Sequence, residues 1–166
     1  MLIAVLLTST HANAHDFEAK NSDGVTIYYK ITSSSDKTCE VTYAGDSYNS
    51  YSNEYTGSIV IPETVTYNGT TYSVTTIGDS AFYGCSGLTS IVIPNSVTSI
   101  GYSAFLGCSD LTSIVIPNSV ISIGSLAFVS CSGLTSILVE SGNAVYDSRD
   151  NCNAIIETST NKLIAG

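Results

Sequence analysis

Residues 77–99 read IGDSAFYGCSGLTSIVIPNSVTS, and residues 100–122 read IGYSAFLGCSDLTSIVIPNSVIS. The two segments share a period of 23 residues, and residues 123–139 repeat the first part of the same text. A fixed period of this length is typical of repeat proteins, in which each unit buries its apolar face against its neighbours. The chain is therefore predicted to form a repeat solenoid with a thin, extended core.

The repeated apolar positions indicate what each unit contains. The segment from Leu88 to Ile93 alternates with period two, and Pro94 ends it, as in a short β-strand. The spacing from Ala104 to Cys108 is that of one helical turn. We predict a β-rich α/β solenoid whose coils of about 23 residues carry short parallel strands on one face and short helical turns on the other. One phenylalanine per unit is expected to stack in the core opposite the strands: Phe82, Phe105 and Phe128.

The shared text, Leu-x-x-Ile-x-Ile-Pro-x-Ser-Val-x-x-Ile-Gly-x-x-Ala-Phe-x-x-Cys, resembles the BspA-like leucine-rich repeat of bacterial surface proteins. The resemblance covers most of the chain after Phe17. It implies a leucine-rich-repeat fold, a secreted or cell-surface location, and a role in adhesion to host matrix proteins or to other cells.

The start of the chain resembles a secretory signal peptide. Residues 2–7 are apolar and residues 12–14, Ala-Asn-Ala, fit the small-x-small cleavage rule, although the chain has no Lys or Arg near its first residue. We predict a signal peptide at residues 1–14 and a mature protein that begins at His15. No later stretch approaches the roughly 18 apolar residues of a membrane span, so none is expected after signal removal.

The sequence outside the repeats predicts a cap at the N-terminal end and an irregular unit at the C-terminal end. Residues 25–31 and 39–43 alternate apolar and polar side chains around a Ser-rich turn, which indicates a β-hairpin. Because a solenoid needs a polar end piece, we predict an N-terminal β cap and loop at residues 15–57. Residues 140–166 resemble the hairpin-bearing unit of the same family. They stop where another coil would start, so we expect either a truncated repeat of a longer array or a C-terminal coil that is left uncapped.

The leucine-rich repeats are placed at residues 58–139. The first repeat is longer than the others between Ile61 and Ile77. Asn68-Gly69 lies in the extra text, and this dipeptide favours a type I′ turn. We therefore predict a hairpin insert at residues 66–74.

The composition excludes several functions. The chain has 14 acidic against 5 basic residues, a net charge of −9, so nucleic acid and anionic membranes are not expected partners. His15 would be the one histidine of the mature chain, because His11 leaves with the signal. A Ser-His-Asp site, a Cys-His site and a His-based zinc site are thus excluded, and a copper site at His15 would need a second histidine. We predict no enzyme activity and no cofactor.

Two groups of side chains in the sequence resemble metal-binding sites. Each unit has one cysteine at the same position, and these are Cys85, Cys108 and Cys131. Cysteines of neighbouring coils could line up as metal-binding thiols or form disulfides. Because each lies among apolar residues, we expect three buried free thiols. An oxygen-rich turn could hold calcium, but a hairpin turn neutralised by Arg149 is the simpler interpretation: Asp147, Asp150, Asn151 and Asn153. We predict no metal site.

The strand residues that alternate with the core positions are the candidate binding residues. They point outward as a column of serines beside a column of aliphatic side chains. A contiguous exposed apolar strip is unusual in soluble proteins and suits a partner, although branched residues also favour exposed strands for structural reasons. The candidate strand-face residues are Ser58, Val60, Ser90, Val92, Ser113, Val115, Ser136 and Leu138.

The sequence thus predicts an extracellular or cell-surface leucine-rich-repeat binding module that acts in adhesion or protein–protein interaction through its strand face. Its partner would be a protein, such as a host matrix or cell-surface protein, or a glycan. The alternative is an accessory binding region of a larger secreted enzyme or glycan-binding protein whose other domains lie outside this chain.

Overall fold

The structure is a computed structural model that describes residues 14–49 and 54–166. Nearly all of the predicted signal peptide lies outside the described residues, as do residues 50–53 of the predicted loop. The part of the chain that the structure describes has no helix long and apolar enough to cross a membrane.

The described residues contain fourteen β-strands and one 3-10 turn at Arg149–Asn151. In chain order the strands are β1 Phe17–Lys20, β2 Thr26–Ser33, β3 Thr38–Thr42, β4 Gly57–Val60, β5 Thr64–Tyr67, β6 Thr70–Ile77, β7 Leu88–Val92, β8 Ser99–Ile100, β9 Ser113–Ile116, β10 Ser122–Ile123, β11 Ser136–Val139, β12 Tyr146–Asp147, β13 Ile155–Glu157 and β14 Lys162–Ala165.

The first parallel sheet is built from the repeated Leu-x-x-Ile-x-Ile text. Its strands lie in the order β4, β7, β9, β11 and pair in parallel. Equivalent residues of neighbouring units face each other, as Ser90 faces Ser113 and Ile114 faces Ile137. The prediction of short parallel strands that stack from unit to unit is confirmed.

A second parallel sheet runs through the same units. Its strands β6, β8 and β10 pair in parallel through Thr76-Ile77 and the two Ser-Ile dipeptides that follow it one and two units later, so that Ile77, Ile100 and Ile123 lie side by side. The sheet continues into β3, which pairs in parallel with β6, and then into β2 and β1, which pair in antiparallel. Each complete unit therefore contributes two strands.

The predicted helical turns are wrong. The segment from Ala104 to Cys108 and its counterparts in the other units form a series of turns without any α-helix. Ser80 and Ser103 adopt left-handed φ values of 57° and 52°, and Gly107 adopts 80°. A right-handed helix cannot pass through residues of this conformation, because their φ has the opposite sign.

Alternate turn amides bond to the next unit, whereas the amides between them bond within their own turn, as the Tyr83 N–H does to the Ser80 carbonyl at 3.0 Å. The Phe82 N–H donates to the Ala104 carbonyl at 2.8 Å. The Phe105 N–H donates in the same way to the Ala127 carbonyl at 2.8 Å. Backbone donors buried in a protein must find acceptors, and here lateral bonds between units supply them.

The repeat phenylalanines form one stack through the core. The rings of Phe82 and Phe105 lie 5.1 Å apart with an interplanar angle of 4°, and those of Phe105 and Phe128 lie 5.4 Å apart at 6°. Phe82 and Phe105 are fully buried, whereas Phe128 is half-buried at the end of the stack.

Tyr55 packs against the N-terminal end of this stack with its ring tilted by 50° to that of Phe82. Its ring centroid lies 4.7 Å from that of Phe82. Its hydroxyl donates to the Thr42 carbonyl at 2.8 Å and accepts the Tyr28 N–H at 3.1 Å. One buried tyrosine therefore joins the repeat core to the sheet formed by the N-terminal strands.

The hairpin β5–β6 turns at Asn68 and Gly69, whose φ values of 48° and 75° are both positive, as a type I′ turn requires. The residues paired between the two strands span 64–73, whereas the predicted insert spans 66–74. The predicted domain boundaries stay predictions.

One side chain joins the N-terminal segment to the first parallel sheet. The Asn21 side-chain amide donates to the Val60 carbonyl at 3.0 Å, at the outer edge of β4.

Residues after β11 form an antiparallel sheet of β12, β13 and β14. Side chains from this part of the chain accept the amide hydrogens of the last parallel strands. These bonds are Ile123 N–H to Tyr146 Oη at 2.9 Å, Ile137 N–H to Asn153 Oδ1 at 2.6 Å and Val139 N–H to Ser148 Oγ at 3.0 Å.

Replacing Phe105 with Ala should lower the free energy of unfolding by about 3 to 5 kcal/mol. The Phe105 ring lies between two stacked neighbours, so its removal leaves a cavity in a thin core. Urea unfolding followed by circular dichroism measures the change. Phe128→Ala is the matched control and should cost less, since Phe128 is half-buried and has a ring on one side. An unchanged midpoint for Phe105→Ala would contradict the stacked core.

Candidate functional site

The outer face of the first parallel sheet carries the candidate residues. Ile91 and Ile114 point inward and are buried, and the residues on either side of them in β7 and β9 point outward. We call the outward residues the strand face: Ser58, Val60, Ser90, Val92, Ser113, Val115, Ser136 and Leu138. All of them are exposed except Val60 and Ser90, which are half-buried.

The serines form a continuous column across four strands. Ser90 pairs with Ser58 on one side and with Ser113 on the other, and Ser113 pairs with Ser136. The Ser90 hydroxyl donates to the Ser58 hydroxyl at 2.8 Å. Each hydroxyl can both donate and accept, so the column offers a partner regularly spaced polar groups.

The aliphatic column lies beside the serines. Val92, Val115 and Leu138 are 54%, 42% and 47% exposed. Val60 pairs with Val92 and extends the column into β4. The pairing of equivalent residues in parallel strands thus places separate aliphatic side chains in one strip.

A third column on this face, formed by the threonines at the start of the repeat strands, was not predicted from the sequence. Thr112 and Thr135 are exposed, but their hydroxyls donate to the carbonyls of Thr89 and Thr112, one unit back, at 3.2 and 3.3 Å. These hydroxyls already have partners within the protein, so this column joins units. The sequence signal is the Thr-Ser pair at the start of each repeat strand.

The repeat cysteines are free thiols in or near the core. Cys85 and Cys108 are buried, whereas Cys131, in the last unit, is half-buried, so the expectation of three buried thiols is wrong there. The Cys108 and Cys131 thiols donate to the carbonyls of Phe82 and Phe105, each at 3.1 Å.

Burial raises the pKa of these thiols. The values reach about 11 for Cys85 and for Cys131, and burial also raises the pKa of Cys108. Metal coordination requires thiolates, and thiols of this pKa are protonated at neutral pH. Within 14–49 and 54–166 there is no group of three or more His, Cys, Asp or Glu side chains that could hold a metal ion.

The acidic turn is held by an ion pair. Arg149 donates from Nε and Nη2 to the two carboxylate oxygens of Asp147, at 2.8 and 2.7 Å. This side-chain hydrogen bonding holds the pKa of the Asp147 carboxyl below its usual range. The Asn153 side-chain oxygen accepts the Ile137 N–H. Asp147 and Asn153, two of the four residues of this oxygen-rich turn, thus already accept hydrogen bonds within the protein.

The larger cavity, of about 600 Å³, lies between the turn of the last repeat and β14. Its lining is mainly aliphatic and aromatic, and Lys162 is its one charged residue. Among the side chains that line this cavity there is no carboxylate and no histidine, and its polar groups besides Lys162 are those of Ser125, Ser130 and Cys131. Its main apolar lining residues are Ile123, Leu126, Phe128, Leu134, Ile137 and Leu163.

The chain is similar to known proteins both in family and in fold. The family model for the BspA type leucine-rich repeat region matches residues 47–160 in six copies. A leucine-rich repeat protein from Bacteroides ovatus is 38% identical over 75% of this chain, with a TM-score of 0.61. The matched region is 29% of that protein, so this chain spans less than a third of its length.

Two further solved structures are similar at lower levels. One is a leucine-rich repeat protein from Bacteroides capillosus, 23% identical over 75% of this chain and 99% of its own, with a TM-score of 0.49. The other is a leucine rich cell surface protein from Faecalibacterium prausnitzii, 19% identical over 89% of this chain and 61% of its own, with a TM-score of 0.43. No curated protein matches this chain significantly.

Thiol labelling of the native protein should distinguish the cysteines. Cys152 is exposed and should react first with N-ethylmaleimide, Cys131 more slowly, and Cys85 and Cys108 only after denaturation. Mass spectrometry of quenched samples locates the label. Labelling of Cys108 as fast as that of Cys152 would contradict the buried position of its thiol.

Proposed function

Because the chain belongs to the BspA-type leucine-rich repeat family, we propose that it is a binding module of a secreted or cell-surface protein and recognises another protein through its strand face. The units are proposed to form an open solenoid, with residues 15–57 as the N-terminal cap and residues 1–14 as a signal peptide. The role is adhesive, toward a matrix or cell-surface protein.

The observation that carries this proposal is the exposed aliphatic column of Val92, Val115 and Leu138. Burying apolar surface contributes about 25 cal/mol per Å², so a partner that covers three adjacent aliphatic side chains gains a hydrophobic contribution from each. Apolar strips of this kind on soluble proteins mark interaction sites.

The charge distribution supports the same surface. The chain has 14 acidic residues, yet none lies in the four strands of the first sheet. The cores of protein–protein interfaces are depleted of charge, because a buried charge must be desolvated. An uncharged strip in a protein of net charge −9 therefore suits the centre of an interface.

The rigid spacing of the columns adds specificity. Neighbouring strands in a sheet lie about 4.8 Å apart, so the hydroxyl and methyl groups repeat at a fixed interval. Lateral hydrogen bonds hold this interval, which lowers the entropy that binding would cost. A partner with matching periodic groups would be recognised over several units.

The alternative role, as the accessory region of a larger secreted enzyme or glycan-binding protein, rests on the length of the Bacteroides ovatus relative. This chain matches 29% of that protein. Sequencing the reading frame on both sides separates the two roles: an appended catalytic domain would support the alternative, and further repeats with a surface anchor would support adhesion.

The double variant Val92→Lys/Val115→Lys tests the proposal by surface plasmon resonance on an immobilised extracellular-matrix preparation. Lysine in the interface core should weaken binding at least about tenfold, because each charge would have to be desolvated. The fold should stay within about 0.5 kcal/mol of the parent, as expected for exposed positions.

The matched control is Ile121→Lys/Leu163→Lys. Both residues are 59% exposed and lie outside the strand face, and the change in net charge is the same. This variant should bind the matrix as the parent does. Absence of binding by the parent, or equal binding by both variants, would contradict adhesion through the strand face. Unfolding of Val92→Lys/Val115→Lys would instead contradict the outward orientation of the two valines.

A further inference from the structure

A groove of about 310 Å³ lies on the outer face of the second parallel sheet. Strand pairing builds one row of side chains along it. Lys30 of β2 pairs with Glu40 of β3, Glu40 with Thr76 of β6, and Thr76 with Ser99 of β8. All four line the groove, together with Tyr43 and Asp79.

The groove is open because its floor is backbone. Gly78 and Gly101, the second residues of two units, line it. A Cβ on Gly78 would lie 2.9 Å from the Val41 carbonyl oxygen, and one on Gly101 would lie 2.5 Å from Asp79 Oδ1. No side chain fits at either position, so packing against β3 at Gly78 and against the preceding unit at Gly101 keeps this floor bare.

Tyrosine rings continue from one end of the groove. Tyr43 lines the groove and meets Tyr48 edge-on, with ring centroids 6.4 Å apart, and Tyr48 meets Tyr83 at 4.7 Å. Tyr48 is 43% exposed. Exposed tyrosines combine a flat apolar ring with a polar hydroxyl, and they are enriched at recognition surfaces for that reason.

A further exposed tyrosine, Tyr102, directly follows Gly101 of the floor. Its backbone N–H donates to Asp79 Oδ1 at 2.7 Å, which fixes the carboxylate at the groove wall. One oxygen of this carboxylate is thus occupied by the backbone, while Oδ2 has the capacity to accept from a ligand.

The lining offers donors and acceptors in the same small space. Glu40 and Asp79 accept, the Lys30 ammonium donates, and the Thr76 and Ser99 hydroxyls do both. Two carboxylates repel an anionic ligand, and Lys30 offsets part of the attraction that they exert on a cationic one. A neutral ligand rich in hydroxyl groups pairs with all of these donors and acceptors, and its apolar face can pack on the tyrosines.

We propose that this groove binds a neutral oligosaccharide. Sugar hydroxyls, which donate and accept at once, would bond to the row from Lys30 to Ser99, and the C–H face of a neighbouring sugar ring would pack on the Tyr43–Tyr48 rings. This site is separate from the strand face, so the protein would carry two binding surfaces with different ligands.

The test is a titration of the isotope-labelled full chain with four soluble hexasaccharides, of glucose, xylose, mannose and N-acetylglucosamine, followed by amide chemical shifts. At least one sugar should shift the amides of Tyr43, Ser99 and Gly101 in a saturable manner. Ser99→Arg fills the groove and should weaken that binding at least about tenfold. Tyr48→Ala, which removes an exposed ring and leaves the sheet intact, should weaken it as well.

The matched control is Ser122→Arg. Ser122 pairs with Ser99 and is the equivalent exposed residue one unit further on, outside the groove. It should bind the sugar as the parent does. Three results would each overturn the proposal: no shift of these amides by any of the four sugars at millimolar concentration, equal weakening by Ser122→Arg, or a response of the groove to a lysine-rich peptide alone.

The two surfaces fail independently. If the strand-face proposal is wrong, Val92→Lys/Val115→Lys still binds matrix, and the sugar titration is unaffected. If the groove proposal is wrong, the sugars leave the groove amides unshifted while the matrix binding of the parent and its loss in that variant remain.

Discussion

Each repeat unit is hydrogen-bonded to the next along three lines: the first sheet, the second sheet and the turns. In the turns, the Phe105 N–H reaches the Ala127 carbonyl at 2.8 Å, and the Cys131 thiol reaches back to the Phe105 carbonyl at 3.1 Å. A single unit leaves these groups without partners, which is unfavourable in a buried position. The units are therefore stable only side by side, and this arrangement creates both the strand face and the groove.

The strands and the phenylalanine stack could be predicted because they depend on apolar residues recurring at a fixed period. The turns could not. The interval of four residues between the apolar side chains of Ala104 and Cys108 fits a helix as well as the observed turns, so it does not distinguish them. The left-handed φ of Ser80 and Ser103 is unusual for serine and is not predicted by the sequence. The second sheet was missed for another reason. Its strands β8 and β10 consist of the two residues Ser-Ile, which are too few to show the alternation of apolar and polar side chains that indicates a strand.

The same distinction applies to the two surfaces. The outward direction of Val92 and Val115 follows from the alternation of side chains in a strand, so the sequence placed them on one face. The groove depends on Lys30 and Glu40, which belong to no repeat and reach Thr76 only through the pairing of β3 with β6. Pairing between distant segments is a tertiary property that local patterns do not contain.

Hydrogen exchange at three equivalent amides tests the lateral bonding most directly. The Phe82 and Phe105 N–H groups bond to the next unit, whereas among the described residues no acceptor faces the N–H of Phe128, their counterpart in the last unit. Lateral bonding predicts slow exchange at Phe82 and Phe105 and fast exchange at Phe128 in the native protein. Equally fast exchange at all three amides would contradict it.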